Sequence, residues 1–232
     1  ESAPMRDAAP RYRVTDQVFL WLLITPSRPV LIGELGTVRS PRGVSLRYAE
    51  PWTQGGFALS EDLPLRGDLF LPSEADAAPG AVDDARPDRW GERVIKFLDK
   101  PPRLSLLEYL YFAGDDRFGA LGVSTSQEEY LPRRLGPLPT LADTATIQEL
   151  VHKVLAGEPI PPAQRRLISP GVTMGGARPK ALLEIEGEQW VVKFSDGDAV
   201  DTPLIEHAAM TLARQAGINT ATTMPIRLVD GH

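Results

Sequence analysis

An α+β fold in two parts is predicted by three features of the sequence. Short apolar runs separated by Pro and Gly fill the first 75 residues, and strong helical periodicity is confined to a few segments beyond residue 88. A glycine-containing loop, two strand-like runs and one helix close the chain. The 232 residues allow one large domain or two small ones, at roughly 100–200 residues per domain. With 42% hydrophobic residues the chain can bury a core. Its 22 Pro and 20 Gly stay under a fifth of the chain, below the roughly 25–30% that marks low complexity, so the prolines read as frequent stops between short elements. No repeat of solenoid length is visible.

The first part begins with a loose lead-in, residues 1–13, rich in Pro, Ala and charge. Met5 lies inside it and residue 1 is Glu, so residue 1 is read as other than the natural start. Strands are predicted over Val18–Ile24, Val30–Leu35 and Val44–Tyr48, with turns at Pro26, Pro29, Pro41 and Gly43. Gly55-Gly56 and the run from Ala58 to Leu65 continue this strand- and loop-rich stretch, and Ala75 to Pro87 reads as a loop. Asp88 is suited to cap a helix over Arg89–Leu98, whose Trp90, Val94, Phe97 and Leu98 recur at helical spacing. Ser105 caps a second helix, Leu106–Ala113, closed by Gly114. These elements place a β-rich subdomain over residues 14–124.

Residues 125–232 form the second part. Gln127 to Pro139 is polar and Pro-punctuated, the expected connection. Ile147, Leu150, Val151 and Leu155 make a helical stripe ended by Gly157, and Pro161 to Ile168 reads as a short further helix. Strands over Ala181–Ile185 and Gln189–Phe194 are joined by Glu186-Gly187-Glu188. Thr202 and Pro203 suit the N-cap and first position of a helix stopped by Gly217. Ile205, Ala208, Ala209, Leu212, Ala213 and Ala216 give that helix one apolar face.

Composition removes several classes of function. Lys and Arg number 25 against 31 Asp and Glu, a net charge of −6, which argues against holding nucleic acid by bulk charge. The absence of Cys excludes disulfides, thiolate metal sites and cysteine nucleophiles, and fits a reducing compartment. The longest apolar run, Val18 to Ile24, is far short of the roughly 20 residues that span a bilayer, and no secretory leader pattern opens the chain. A soluble cytoplasmic protein is expected, without membrane or direct nucleic-acid contact.

The segment from Ser169 to Lys180 combines glycines with two basic side chains, Arg178 and Lys180. Lys193 lies in the second strand between Val192 and Phe194, where an ammonium among apolar neighbours requires an anion. Glu206, thirteen positions later, stands at the edge of the helix's apolar face. Glycine loop, strand Lys and helix Glu is the order of the protein-kinase small lobe, where loop amides hold phosphates, the Lys contacts the α- and β-phosphates and the Glu orients the Lys. A plain turn, a snorkelling Lys and a solvated Glu account for each piece taken singly. A Walker loop is excluded, because Gly176 is followed by Ala177 and not by Lys.

Gly175-Gly176-Ala177-Arg178-Pro179-Lys180-Ala181, then Trp190 to Phe194, Glu206, Met210 and Ala216-Gly217-Ile218, resembles the HipA family of serine/threonine kinases, toxins of bacterial type II toxin–antitoxin systems. Phe57 to Ser60, Leu63-Pro64-Leu65, Pro87 to Gly91 and Gly119-Ala120-Leu121 are similar to signatures of the family's N-terminal subdomain. The resemblance implies that Lys193 is the ATP lysine and Glu206 its ion-pair partner. It places Gly175, Gly176, Ala177, Arg178 and Lys180 at the phosphate loop, the last two cradling or positioning it. Thr173 falls where the family carries an autophosphorylatable Ser, whose phosphate would repel those of a nucleotide and eject the loop. ATP and Mg²⁺, a helix-turn-helix antitoxin that attaches to DNA, and an aminoacyl-tRNA synthetase as phosphorylated protein are implied likewise.

The family's helical C-terminal lobe, with its catalytic Asp and metal-binding Asn and Asp, has no counterpart here. Ile226–Val229 reads as a strand and Asp230-Gly231 as its hairpin turn without a return strand, so a truncated chain or a split gene product is expected. A non-catalytic interaction module of a split HipA-type system is the rival reading. Acidic Asp196, Asp198 and Asp201 lack the Gly and Glu positions of an EF-hand and read as a solvated turn. His152, His207 and His232 show no metal spacing. This chain alone is expected to transfer no phosphate from labelled ATP to a peptide or tRNA-synthetase substrate; robust transfer would overturn that expectation.

Overall fold

The computed structural model describes residues 12–115, 117, 119–131, 136–168, 176–195, 197 and 199–228. They divide into two compact units, one running to Gly136 and the other starting at Pro137.

The first unit is built on an antiparallel sheet. Strands β1 (Gln17–Leu22), β2 (Val30–Arg39), β3 (Arg42–Tyr48), β4 (Leu69–Phe70) and β5 (Leu121–Ser124) lie in the order β4-β3-β2-β1-β5. The β1–β2 register shifts after Leu20, which faces Gly33, while Trp21 faces Leu31. Ile32 is therefore an extra residue on β2, a bulge that breaks the strict alternation and leaves both Ile32 and Leu35 buried. Gly33 is required beside it, since a Cβ there would lie 2.2 Å from the Arg47 carbonyl oxygen.

Helices α1 (Glu50–Gly55), α2 (Ala81–Asp84), α3 (Arg89–Leu98) and α4 (Leu106–Phe112) complete this unit. Asp88 caps α3 by accepting from the Gly91 amide at 2.7 Å. Ser105 and Glu108 form a reciprocal capping box on α4, and the buried Glu108 carboxylate also accepts from the Arg103 amide at 3.0 Å. The Leu107, Leu110 and Tyr111 side chains of α4 join Val18, Leu20, Ile32, Leu35 and Leu46 in one core. Two short helices, α1 and α2, stand where loop was expected; Pro51 near the start of α1 is the sequence signal for the first of them.

Arg117 is buried and ties three chain segments together. Its guanidinium donates to the carbonyls of Gly114 (2.9 Å), Ala85 (3.1 Å) and Leu110 (2.9 Å), oxygens at the C-terminal ends of α2 and α4. A cation there satisfies carbonyls that the helices leave without an internal donor and opposes their negative dipole ends.

The second unit contains α5 (Thr144–Ala156), the hairpin β6 (Lys180–Ile185) and β7 (Glu188–Lys193), and α6 (Thr202–Gln215). Gly157, left-handed at φ 73°, ends α5 as its position predicted. The buried face of α5 is Ile147, Leu150, Val151 and Val154, with Leu155 only half-buried. Pro162–Leu167 is a 3-10 helix, and the Glu184 amide donates to the Pro139 carbonyl at 2.7 Å, tying the start of the unit to β6.

Replacing Arg117 by Met would remove the donor of three carbonyls, and at about 1–3 kcal/mol for each one left unsatisfied a loss of at least about 3 kcal/mol is expected. Urea denaturation checks this, and an unchanged midpoint would show that the guanidinium contributes nothing.

Candidate nucleotide-binding site

The site is organised by the β6–β7 hairpin. Its turn is Glu186-Gly187, two residues with φ of 52° and 83°, the left-handed pair that a tight hairpin requires. Glu188, expected in the connection, is instead the first residue of β7 opposite Ile185. That register sets Lys180 directly opposite Lys193. One step on, the Phe194 amide donates to the Pro179 carbonyl at 3.1 Å and the Phe194 side chain is 1% exposed. Successive side chains point to opposite faces, so burying Phe194 turns Lys193 the other way.

Lys193 Nζ donates to Glu206 Oε1 at 2.5 Å. The expectation that Lys193 is embedded among apolar neighbours is corrected: it ends β7 on an open face, and the Lys193 and Glu206 side chains are 47% and 45% exposed. Exposure removes desolvation as the reason for a partner. An exposed pair contributes about 0–1 kcal/mol, whereas burying a Phe contributes about 1.5–3 kcal/mol. Phe194 therefore fixes how the strand faces, and Glu206 fixes where the ammonium points.

Glu206 is carried by α6. The cap of this helix is Asp201, whose carboxylate accepts from the Leu204 amide at 3.1 Å; Thr202 and Pro203 are its first two residues. Asp is a stronger capping residue than Thr, and the Asp201 carboxylate displaces Thr202 from the capping role expected of it. The apolar face of α6 is open. Ile205 is 56% and Leu212 65% exposed, and no residue of α6 is buried, because among the described residues nothing packs over that face.

Beyond Gly217 the chain doubles back along α6. Arg214 Nη2 donates to the Ala221 carbonyl at 2.9 Å, and His207 Nδ1 lies 2.7 Å from Thr223 Oγ1. Sequence reasoning missed this return, since a stretch of Asn, Thr and Ala carries no periodic signal. Of the strand expected over Ile226–Val229, residues 226 and 227 are not in a strand, Leu228 is in a single β-bridge, and Val229 with the turn at Asp230-Gly231 lies outside the described residues.

Of the loop residues, Thr173 and Gly175 lie outside the described residues, as do Asp196 and Asp198 of the acidic turn. Gly176 has φ of 89°, a conformation suited to glycine, and Gly176, Ala177 and Arg178 are exposed. Lys180 is 4% exposed, and its ammonium donates to the carbonyls of Arg178 (2.7 Å) and Gly176 (3.1 Å). The structure thus brings Lys193 to Glu206, and Lys180 to Gly176 and Arg178. Among the described residues no group of three or more His, Asp or Glu is placed to hold a metal ion. No helix among the described residues is long and apolar enough to cross a membrane.

Two family models match this chain in order: the HipA N-terminal domain over residues 29–124 and the HipA-like C-terminal domain over residues 172–231. They take in both units and more than half of the sequence. The chain belongs to the HipA family. No curated protein matches it. Among solved structures, a chain of the Shewanella oneidensis MR-1 toxin–antitoxin complex of HipA, HipB and operator DNA is similar, with 18% identity and a TM-score of 0.48. The match covers 90% of this chain and 47% of that one, so the present HipA-family chain spans about half the length of the structure it matches.

Because Leu212 is open on α6, Leu212→Gln is expected to change stability by less than about 0.5 kcal/mol. A loss of several kcal/mol in a denaturant titration would show that the face is covered.

Proposed function

We propose that this chain supplies the ATP-holding half of a HipA-type protein serine/threonine kinase. The observation that carries the reading is the Lys193–Glu206 contact, an exposed cation held in one direction by a carboxylate on the neighbouring helix. An ammonium fixed in that way is ready for phosphate oxygens, and the glycine turn at Gly176 gives backbone room for phosphates to approach. Membership of the HipA family supports the same assignment.

In this reading Lys193 binds the α- and β-phosphates, Glu206 keeps its ammonium from swinging into solvent, and Gly175, Gly176, Ala177 and Arg178 line the loop above the phosphates. Catalysis of phosphoryl transfer is chiefly positioning and charge stabilisation, and these residues provide the nucleotide's share of it. Mg²⁺ would accompany the nucleotide, held by its phosphates and by carboxylate and amide ligands of the family's C-terminal lobe, and the residues named here act on the nucleotide itself. The γ-phosphate would pass to a Ser or Thr hydroxyl of a protein, an aminoacyl-tRNA synthetase by family likeness. The partner is a helix-turn-helix antitoxin, in keeping with a toxin–antitoxin role. Thr173 is the candidate acceptor for autophosphorylation, and the open face of α6 supports a further lobe packing there in the complete kinase.

Calorimetric titration of the chain with ATP tests the site. Heat of binding is expected from the native chain, and Lys193→Ala is expected to weaken ATP at least tenfold. Equal heat from both proteins would discard the site, and favour an interaction module without nucleotide.

A further inference from the structure

Lys180 and Lys193 face each other across the hairpin, and their ammonium groups have opposite fates. Like charges placed directly opposite on a ladder repel, so each needs its own oxygen partners. Lys193 reaches a carboxylate and stays half-exposed. Lys180 is enclosed and donates to the Gly176 and Arg178 carbonyls. A phosphate ligand must present its donors outward, and Lys180 turns two of its hydrogen bonds inward to the backbone.

We infer that Lys180 is a positioning residue, whose buried ammonium fastens the turn Gly176–Arg178 from beneath instead of taking a phosphate itself. The inference rests on the reading of this loop as a phosphate loop. In a trans peptide the C=O and the following N–H point in opposite directions. Drawing the Gly176 carbonyl toward the ammonium therefore turns the Ala177 N–H away from it, on the exposed stretch 176–178. The Arg178 carbonyl can be drawn in the same way at no cost in donors, since Pro179 has no N–H to displace. Gly176 tolerates the resulting φ of 89°, and a Cβ there would sit 3.6 Å from the Lys180 ammonium. Lys180 thus holds the loop shape on which the Ala177 amide meets phosphate.

Competitive acetylation of lysines on the native chain, without nucleotide, tests the enclosure. Lys180 is expected to react at least tenfold more slowly than Lys193 and the exposed Lys96. Comparable rates would overturn the inference. Hydrogen exchange without nucleotide tests the positioning: Lys180→Met should speed exchange at Ala177 at least tenfold and leave the β1–β5 sheet unchanged, while Lys180→Arg restores protection. Unchanged exchange at Ala177 would overturn it, and if Lys180→Met fails to fold, acetylation and Lys180→Arg decide. With ATP, half-protection of Lys193 from acetylation should need about tenfold more nucleotide in Lys180→Met, with adenosine affinity unchanged; equal losses for ATP and adenosine would reduce Lys180 to a general structural role and overturn the inference. If ATP protects Lys193 in neither protein, the nucleotide reading fails, and slow Lys180 acetylation with faster Ala177 exchange still supports the fastening role.

Discussion

The register of one hairpin governs the candidate site. Glu186 and Gly187 turn β6 into β7 with left-handed backbone, and that turn fixes which residues stand opposite. A slip by one residue would expose Phe194, bury Lys193 and separate Lys180 from the loop carbonyls it holds. The burial of Phe194 resists the slip more strongly than any of the charged contacts could. The polar geometry is therefore a consequence of apolar packing.

Within that frame the two lysines divide two tasks. The exposed ion pair adds little stability, so its value lies in direction: a cation on a flexible four-carbon stem is confined by Glu206. The buried ammonium acts on shape, holding a turn that ends in Pro179. Both tasks suit the nucleotide site proposed above. The open face of α6 belongs to the same picture, since a helix with Ile205 and Leu212 in water is incomplete as a packed element.

Local chemistry made much of this legible from sequence. Asp88 and Ser105 marked their helices because short acceptors before apolar periodicity have few other uses, and Gly157 marked the end of α5 because left-handed backbone favours glycine. The pairing of Lys193 with Glu206 followed from their order on a strand and the next helix. What escaped was set by tertiary context. The bulge at Ile32 depends on which face meets the core, and the roles of Arg117 and Lys180 depend on carbonyls brought from elsewhere in the fold or turned inward. The burial expected of Lys193 failed because sequence pattern tells which residues share a face, and says nothing of whether another element covers it; the open face of α6 shows the same limit.

A double-mutant cycle on ATP affinity, using Lys193→Ala, Glu206→Ala and the two together, tests the clamp most directly. If Glu206 acts only by aiming the Lys193 ammonium, the double variant binds ATP no more weakly than Lys193→Ala alone. Losses that simply add would mean that the two side chains act independently, and the clamp would have to be abandoned.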